Sequence, residues 1–219
     1  MMVGGEKFKH LMDVFDRYYK KYDAWYNRNK FAYLSELGAL KKALPEFGKG
    51  LEIGVGTGRF AKPLGITLGI DSSKRMIDIA AERGVTVRYG FGEDLPFLED
   101  TFDYVAIIIS LCFVSDPFKV LQESRRVLKK KGQIVLGIVD KDSFLGKFYQ
   151  RKKSLFYKKA NFFNIKDINE LFKAVGFDKI AYHQTLFNYP DKLNSIEKPR
   201  KGFGKGGFVV VSAQKFSDR

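Results

Sequence analysis

Apolar residues recur at Phe8, Leu11, Met12, Phe15, Tyr18, Tyr19 and Tyr22. This helical spacing predicts an amphipathic helix rich in aromatics. Asn27 and Asn29 interrupt it. A second stripe, Phe31, Leu34, Leu37, Leu40 and Leu44, predicts another helix, which Pro45 ends. The period then changes. Short apolar runs at Leu51–Ile53, Thr67–Ile70, Val85–Tyr89, Tyr104–Ser110 and Ile134–Val139 predict strands with helices between them. The run from Tyr104 is apolar at successive positions, as in a strand covered on both faces.

Asp116-Pro117 predicts a capped helix start, with Val120, Leu121, Ser124, Val127 and Leu128 as its buried face. Lys129, Lys130 and Lys131 are expected in its last turn, closed by Gly132. A later helix is expected from an Asp167 cap through Ile168, Leu171, Phe172 and Val175 to Gly176. Two final strands, Lys179–Phe187 and Phe208–Gln214, have no helical pattern between them and are expected to pair antiparallel. The intervening Tyr189–Gly207 loop, rich in Gly and Pro, is expected to be mobile. Together these elements predict an α/β fold with a doubly wound, mostly parallel seven-stranded sheet. Its last strand is antiparallel and its N-terminus supplies a helical cover.

Composition narrows the classes. The chain has 219 residues, 45% of them hydrophobic, enough for an ordinary core. One cysteine, Cys112, excludes an internal disulfide framework and any multi-cysteine metal cluster. His10 and His183 are the only histidines, so no metal site is expected. No N-terminal h-region is present, and the Tyr104–Val114 apolar run is too short to span a bilayer. A cytoplasmic protein without a transmembrane segment is the expectation. The net charge is +14 and unevenly placed. Residues 1–140 hold 22 basic and 18 acidic side chains; residues 141–219 hold 17 and 7. That excess fits an anionic partner or a plain solvated surface.

The most informative segment is Glu52-Ile53-Gly54-Val55-Gly56-Thr57-Gly58-Arg59. A strand runs into three glycines, where backbone can approach a ligand closely. A dinucleotide fold wants G-x-G-x-x-G, but here Arg59 occupies the third position, which argues against an NAD-type oxidoreductase. Glu52 is awkward beside a pyrophosphate and reasonable beside an ammonium group. One strand later, Gly69-Ile70-Asp71 puts an acid at a strand's carboxyl end, where it can take both hydroxyls of a ribose. The alternative for Asp71 is a helix N-cap.

These residues resemble the class I S-adenosylmethionine-dependent methyltransferases of the type 11 branch, near the ubiquinone and menaquinone C-methyltransferases. The resemblance covers roughly residues 8–180. It rests on the glycine loop, on Asp71, on Gly92-Glu93-Asp94-Leu95-Pro96-Phe97 with Thr101-Phe102-Asp103, and on Leu111–Pro117 with Arg126–Lys129. It implies the Rossmann-like methyltransferase fold and S-adenosylmethionine as cofactor, converted to S-adenosylhomocysteine. By position, Gly54, Gly56 and Gly58 would surround the methionine moiety and Glu52 its ammonium end. Asp71 would hold the ribose. Ser72 and Met76 would border the adenine, whose edge would meet Gly92, Glu93 and Asp94. Ser110 and Leu111 would sit where the methyl group faces its acceptor. Tyr22 and Trp25 would cover the cofactor from an N-terminal lid, since aromatic faces attract a sulfonium cation. Two departures stand out. Phe91 occupies a position where relatives carry Asp or Thr. Only Arg59–Gly65, with Pro63, separates the glycine loop from the next strand, so the helix there can be a turn or two.

Methyl transfer asks the protein mainly to align the acceptor and exclude water. His10, His183 and Tyr22 are the candidate bases; none is singled out. The acceptor pocket is expected from Asp140–Phe163, where Lys147, Arg151, Lys152, Lys153, Lys158 and Lys159 interleave with aromatics. That segment reads as a lid over a small-molecule acceptor, which an anionic group would suit, or as a surface for nucleic acid or anionic lipid. The chain is expected to form one methyltransferase domain over 1–219. Residues 1–46 would be the helical lid, 47–140 the cofactor half and 141–219 the acceptor half. The alternative is a nucleic-acid-binding protein or RNA methyltransferase using the basic third.

Overall fold

The apolar runs pair edge to edge into one sheet, and the helical stripes cover its two faces. The computed structural model describes residues 3–152 and 154–216, and excludes the side chains of residues 3–13 and of Lys159. The side chains of Phe8, His10, Leu11 and Met12, and all of Lys153, therefore lie outside the described residues. The parallel half comprises β1 (Gly50–Ile53), β2 (Leu68–Asp71), β3 (Thr86–Tyr89), β4 (Phe102–Ile108) and β5 (Leu128–Val139). The antiparallel half comprises β6 (Phe177–Thr185), β7 (Arg200–Lys201) and β8 (Phe208–Lys215). The order is β3-β2-β1-β4-β5-β8-β6-β7. The predicted doubly wound architecture is present, with eight strands among the described residues rather than seven. The added strand is β7, two residues that pair with His183 and Gln184. Such a short edge strand leaves no periodic signal.

The helices are α1 (Val3–Arg28), α2 (Lys30–Ala43), α3 (Ala61–Leu64), α4 (Lys74–Glu82), α5 (Pro117–Val127), α6 (Phe144–Arg151) and α7 (Ile165–Val175). None of them, among the described residues, is long and apolar enough to cross a membrane. Strand alternation sorts the core into two layers. Val105 and Ile107 of β4 face Val120, Leu121, Ile168 and Phe172 of α5 and α7. Tyr104, Ala106 and Ile108 face the opposite way, in the cluster that holds Ala39 and Leu40 of α2. Both faces are dry, which is why the Tyr104 run shows no polar alternation.

Several local expectations change. Helix α5 stops at Val127, because Leu128 is already extended and pairs with Phe102. Lys129–Lys131 therefore belong to β5, where the register shifts between Phe102 and Tyr104. Lys129 pairs with Asp103 at 2.9 Å there. The cap of α7 is Asn164, not Asp167. The two form a capping box in which each side chain accepts from the other's backbone N–H, at 2.9 and 3.0 Å. In α2 the buried side is Ala32, Ser35, Glu36, Leu37, Ala39, Leu40 and Ala43, while Phe31 is exposed. Small residues let this helix lie close against β6 and β8. The Tyr189–Gly207 loop is pinned rather than free. Glu197 accepts from the Phe187 N–H at 2.7 Å, and its own N–H donates to Ser35 Oγ at 2.9 Å.

Candidate active site

The chain runs outward through β1, β2 and β3, then crosses back to place β4 beside β1. A crevice opens beyond the carboxyl ends of the strands at such a reversal. Here a cavity of about 790 Å³ opens at that point.

Its floor is the glycine loop. Gly54 has φ +72° and Gly56 φ +52°, both left-handed. A Cβ at Gly54 would collide with the Ser110 side chain. Ser110, on the same wall, donates to the Ile53 carbonyl at 2.9 Å, locking the end of β4 to β1. Asp71 ends β2 and lines the cavity. Its carboxylate accepts from the Gly56 N–H at 2.8 Å and the Ser73 N–H at 2.9 Å. Burial raises the Asp71 carboxyl, and these backbone donors pull it back down. Asp71 is not the N-cap of α4. That position is Ser73, whose Oγ accepts from the Met76 N–H at 3.3 Å. Each Asp71 oxygen keeps further acceptor capacity beyond these bonds.

Ser72 and the buried Met76 continue the wall. Gly92 and Glu93 form the opposite side, with Phe91 beside them. Glu93 fixes the following turn, accepting from Ser115 N–H at 2.9 Å and Ser115 Oγ at 2.7 Å. Helix α1 crosses the opening. Its backbone departs from helical geometry at Tyr18 (φ −114°, ψ 21°), and Phe15 and Tyr22, seven residues apart on one helical face, both reach the cavity.

Several of the sequence-selected residues are not on this wall. Gly58 packs behind it, where an added Cβ would lie 3.2 Å from Ala80. Asp94 bridges back to Phe91. Glu52 is buried beneath the loop, with Oε2 unpartnered. Its carboxyl is held well above the usual range by burial and by Asp71, against one hydrogen bond from the Ala61 backbone. Trp25 lines a different space. Leu111 is buried outside the cavity wall, and His183 sits on β6, outside both chambers.

That second chamber, of about 1160 Å³ including its mouth, adjoins the first and shares Tyr22, Ile109 and Phe113 with it. Ile109 holds φ +57°, an uncommon strain for a β-branched residue, at this shared wall. The expected segment after β5 does contribute, through Leu145, Tyr149, Lys152, Ser154, Leu155, Phe156 and Tyr157. Of its basic residues whose side chains are described, Lys152 alone is on the wall, joined by Lys21 and Arg28 of α1. The sequence reading missed Tyr26 and Glu36. Glu36 is 2% exposed, lines the chamber, and has an unpartnered Oε2. Burial alone pushes its carboxyl up to about 8.

Helix α1 is latched over both chambers. Asp23 accepts from Thr57 Oγ1 at 2.6 Å, from Arg59 Nε at 2.9 Å and from Arg83 Nη2 at 2.8 Å. Burial raises its carboxyl, but the two guanidiniums and the hydroxyl outweigh this and hold it well below the usual carboxylate range. Asp16 adds a second tie, accepting from Ser73 Oγ at 2.5 Å. Arg59, which breaks the dinucleotide fingerprint, is thus part of the latch.

Comparison with known proteins places this geometry. A family model described as a methyltransferase domain matches residues 51–136. An uncharacterized protein of Methanocaldococcus jannaschii is 50% identical over 93% of this chain and its own full length. A crystal structure from Thermotoga maritima, described as a SAM-dependent methyltransferase and possible histamine N-methyltransferase, is 45% identical. It superposes with a TM-score of 0.91 over 94% of this chain and 99% of that one. A demethylmenaquinone methyltransferase of Staphylococcus aureus is 27% identical over 93% of this chain and 87% of its own. With the strand order, the glycine loop and these relatives together, the chain belongs to the class I S-adenosylmethionine-dependent methyltransferases of the type 11 branch.

Proposed function

We propose that the first cavity holds S-adenosylmethionine and that the second receives a small-molecule acceptor. The observation that carries this reading is the shared wall: two chambers meet at Tyr22, Ile109 and Phe113. One offers a glycine floor and an acid at a strand end; the other offers aromatic surface.

The residues fit the cofactor. Gly54 and Gly56 leave room for its methionine portion, since a Cβ at Gly54 would fill the space against Ser110, and Glu52 lies buried beneath them. Asp71 takes the ribose hydroxyls with its remaining lone pairs. Ser72 and Met76 border the adenine, and Gly92 and Glu93 its edge; Gly58 and Asp94 support that wall from behind. Ser110 sets the end of β4, and Phe15 and Tyr22 turn aromatic surface to the cavity. When bound, the cofactor supplies a methyl group on a positively charged sulfur. The chain's own part is to align the acceptor for in-line displacement and keep water out, worth on the order of 7–11 kcal/mol of barrier. Trp25 acts on the acceptor side. Residues 1–219 would work as one unit in which the cover, 1–46, closes the first chamber with 47–140 and the second with 47–140 and 141–219.

Isothermal titration with S-adenosylhomocysteine tests this. We expect binding to the wild type, no binding of NAD, and a loss of about 100-fold or more in Asp71→Ala. That loss corresponds to two charge-assisted hydrogen bonds. Unchanged affinity in a folded Asp71→Ala protein overturns the ribose assignment.

A further inference from the structure

The second chamber has an acid at its core and cations at its rim. Glu36 is buried with Oε2 unpartnered, and no ion pair reaches it among the described residues. Leaving a carboxyl oxygen buried and unpartnered is costly, and folded proteins rarely tolerate it without a use. Around it stand rings. Tyr22 and Tyr26 meet edge to face at 5.5 Å and share a 2.8 Å hydrogen bond between their hydroxyls. Tyr149 stacks on Tyr157 at 4.7 Å. Trp25 and Phe156 line the same space. Lys21, Arg28 and Lys152 also line it but remain solvent-exposed.

We propose that this chamber binds a small organic amine as its ammonium ion, with Glu36 as counter-ion and the rings of Trp25, Tyr149 and Tyr157 as its cage. This deepens the two-chamber reading and rests on it, naming the acceptor class. The chemistry is complementary at each point. A cation supplies the partner that Oε2 lacks, and aromatic faces attract a desolvated ammonium. The tyrosines offer no competing anion: burial holds Tyr22, Tyr26, Tyr149 and Tyr157 above the ordinary phenol range, so they stay neutral. With no cation beside it, burial favours the protonated form of the Glu36 carboxyl at pH 7. An arriving ammonium ion favours the charged form by giving it a partner, the carboxyl proton leaving to solvent through the chamber's open mouth. The same oxygen then receives the proton that the amine must shed before its nitrogen can act as a nucleophile: the N–H bond breaks and an O–H bond forms on Glu36. The rim cations Lys21, Arg28 and Lys152 are exposed at the mouth while Glu36 lies buried inside, so they do not define what binds at the core.

The test is calorimetry on the full chain, with and without saturating S-adenosylhomocysteine. The probes are ethylamine and phenethylamine, each against the alcohol of the same skeleton. We expect at least one amine to bind tenfold or more tightly than its alcohol. Glu36→Gln should abolish that preference while leaving S-adenosylhomocysteine affinity within about twofold. Tyr149→Leu should weaken the amine by about fivefold and the alcohol less, which keeps the test valid if Glu36→Gln does not fold. No preference for either amine, a preference that survives in folded Glu36→Gln, or equal losses for amine and alcohol in Tyr149→Leu would each overturn the proposal. Loss of S-adenosylhomocysteine binding with amine preference intact would instead sink the cofactor reading and leave the amine site standing.

Discussion

The two chambers share a wall yet are made differently. The first is built from backbone: strand ends, left-handed glycines and N–H groups that fix Asp71. The second is built from side chains of α1, α2, α6 and the turn after α6. Their two carboxyls show the contrast. Asp71 and Glu36 are both raised by burial, but three backbone N–H groups pull Asp71 back while nothing does so for Glu36. A backbone-made chamber suits a ligand that never changes. A side-chain-made chamber can be respecified by a few substitutions while the floor stays intact.

The largest effect that would break this contrast is on the floor. Gly54→Ala adds a Cβ at φ +72° that runs into Ser110. Left-handed strain of about 1–2 kcal/mol and overpacking of about 1–3 kcal/mol should add. We expect denaturant unfolding to show a loss of about 3 kcal/mol, with S-adenosylhomocysteine binding abolished. A near-neutral Gly54→Ala would mean the floor yields as readily as the side-chain chamber.

A smaller effect concerns the latch that ties the chambers together. Asp23 lies next to Tyr22, which faces both cavities, and holds Thr57 and Arg59 of the glycine loop and Arg83 beyond it. Asp23→Ala leaves two guanidiniums without their carboxylate. With the group part-exposed, we expect about 2 kcal/mol of lost stability in urea titrations at pH 7, and weaker binding in both chambers. Because the folded carboxyl is depressed, its contribution is complete above about pH 4 and fades as pH falls further. The wild type and Asp23→Ala curves should therefore converge in acid. Curves that stay apart at low pH would show that the latch acts through packing, not charge.

The same contrast explains what the sequence made legible. The first chamber comes from contiguous motifs, since a glycine loop and an acid one strand later carry their spacing on the surface of the text. Gly58 and Asp94 belong to those motifs yet face away from the cavity, because a motif specifies a turn and not which side of it meets the ligand. The second chamber brings together Glu36 and Tyr149, which lie about half the chain apart. Glu36 was hidden because the larger aliphatics of α2 drew the stripe through Phe31 and Leu34. The structure rotates the helix so that Ala32, Ser35, Glu36 and Ala39 are buried. Small residues carry little hydrophobic signal, and burial of the acid between them depends on β6 and β8, laid down far later in the chain. Lys129–Lys131 failed for a related reason: helix-end chemistry fits them, but pairing of Leu128 with Phe102 takes them into the sheet.

The finest test separates the two carboxyls by titration. In the unfolded chain the Glu36 side chain ionises near 4.5; in the folded protein burial moves it to about 8. Between those values the native state keeps a proton that the unfolded state has lost. Stability from this group therefore falls as pH rises through that window, by up to about 1.4 kcal/mol per pH unit, and levels off above it. Glu36 faces the neutral rings of Tyr22, Tyr26, Tyr149 and Tyr157, with Lys21, Arg28 and Lys152 at the outer end, and among the described residues no other carboxyl lines the chamber. Urea unfolding of wild type and Glu36→Gln at pH 5, 6, 7 and 8 should give a difference that grows in favour of the glutamine variant at each step. A constant difference would mean that Glu36 already has a partner when the chamber is empty, and the two chambers would then differ in their walls but not in their charge.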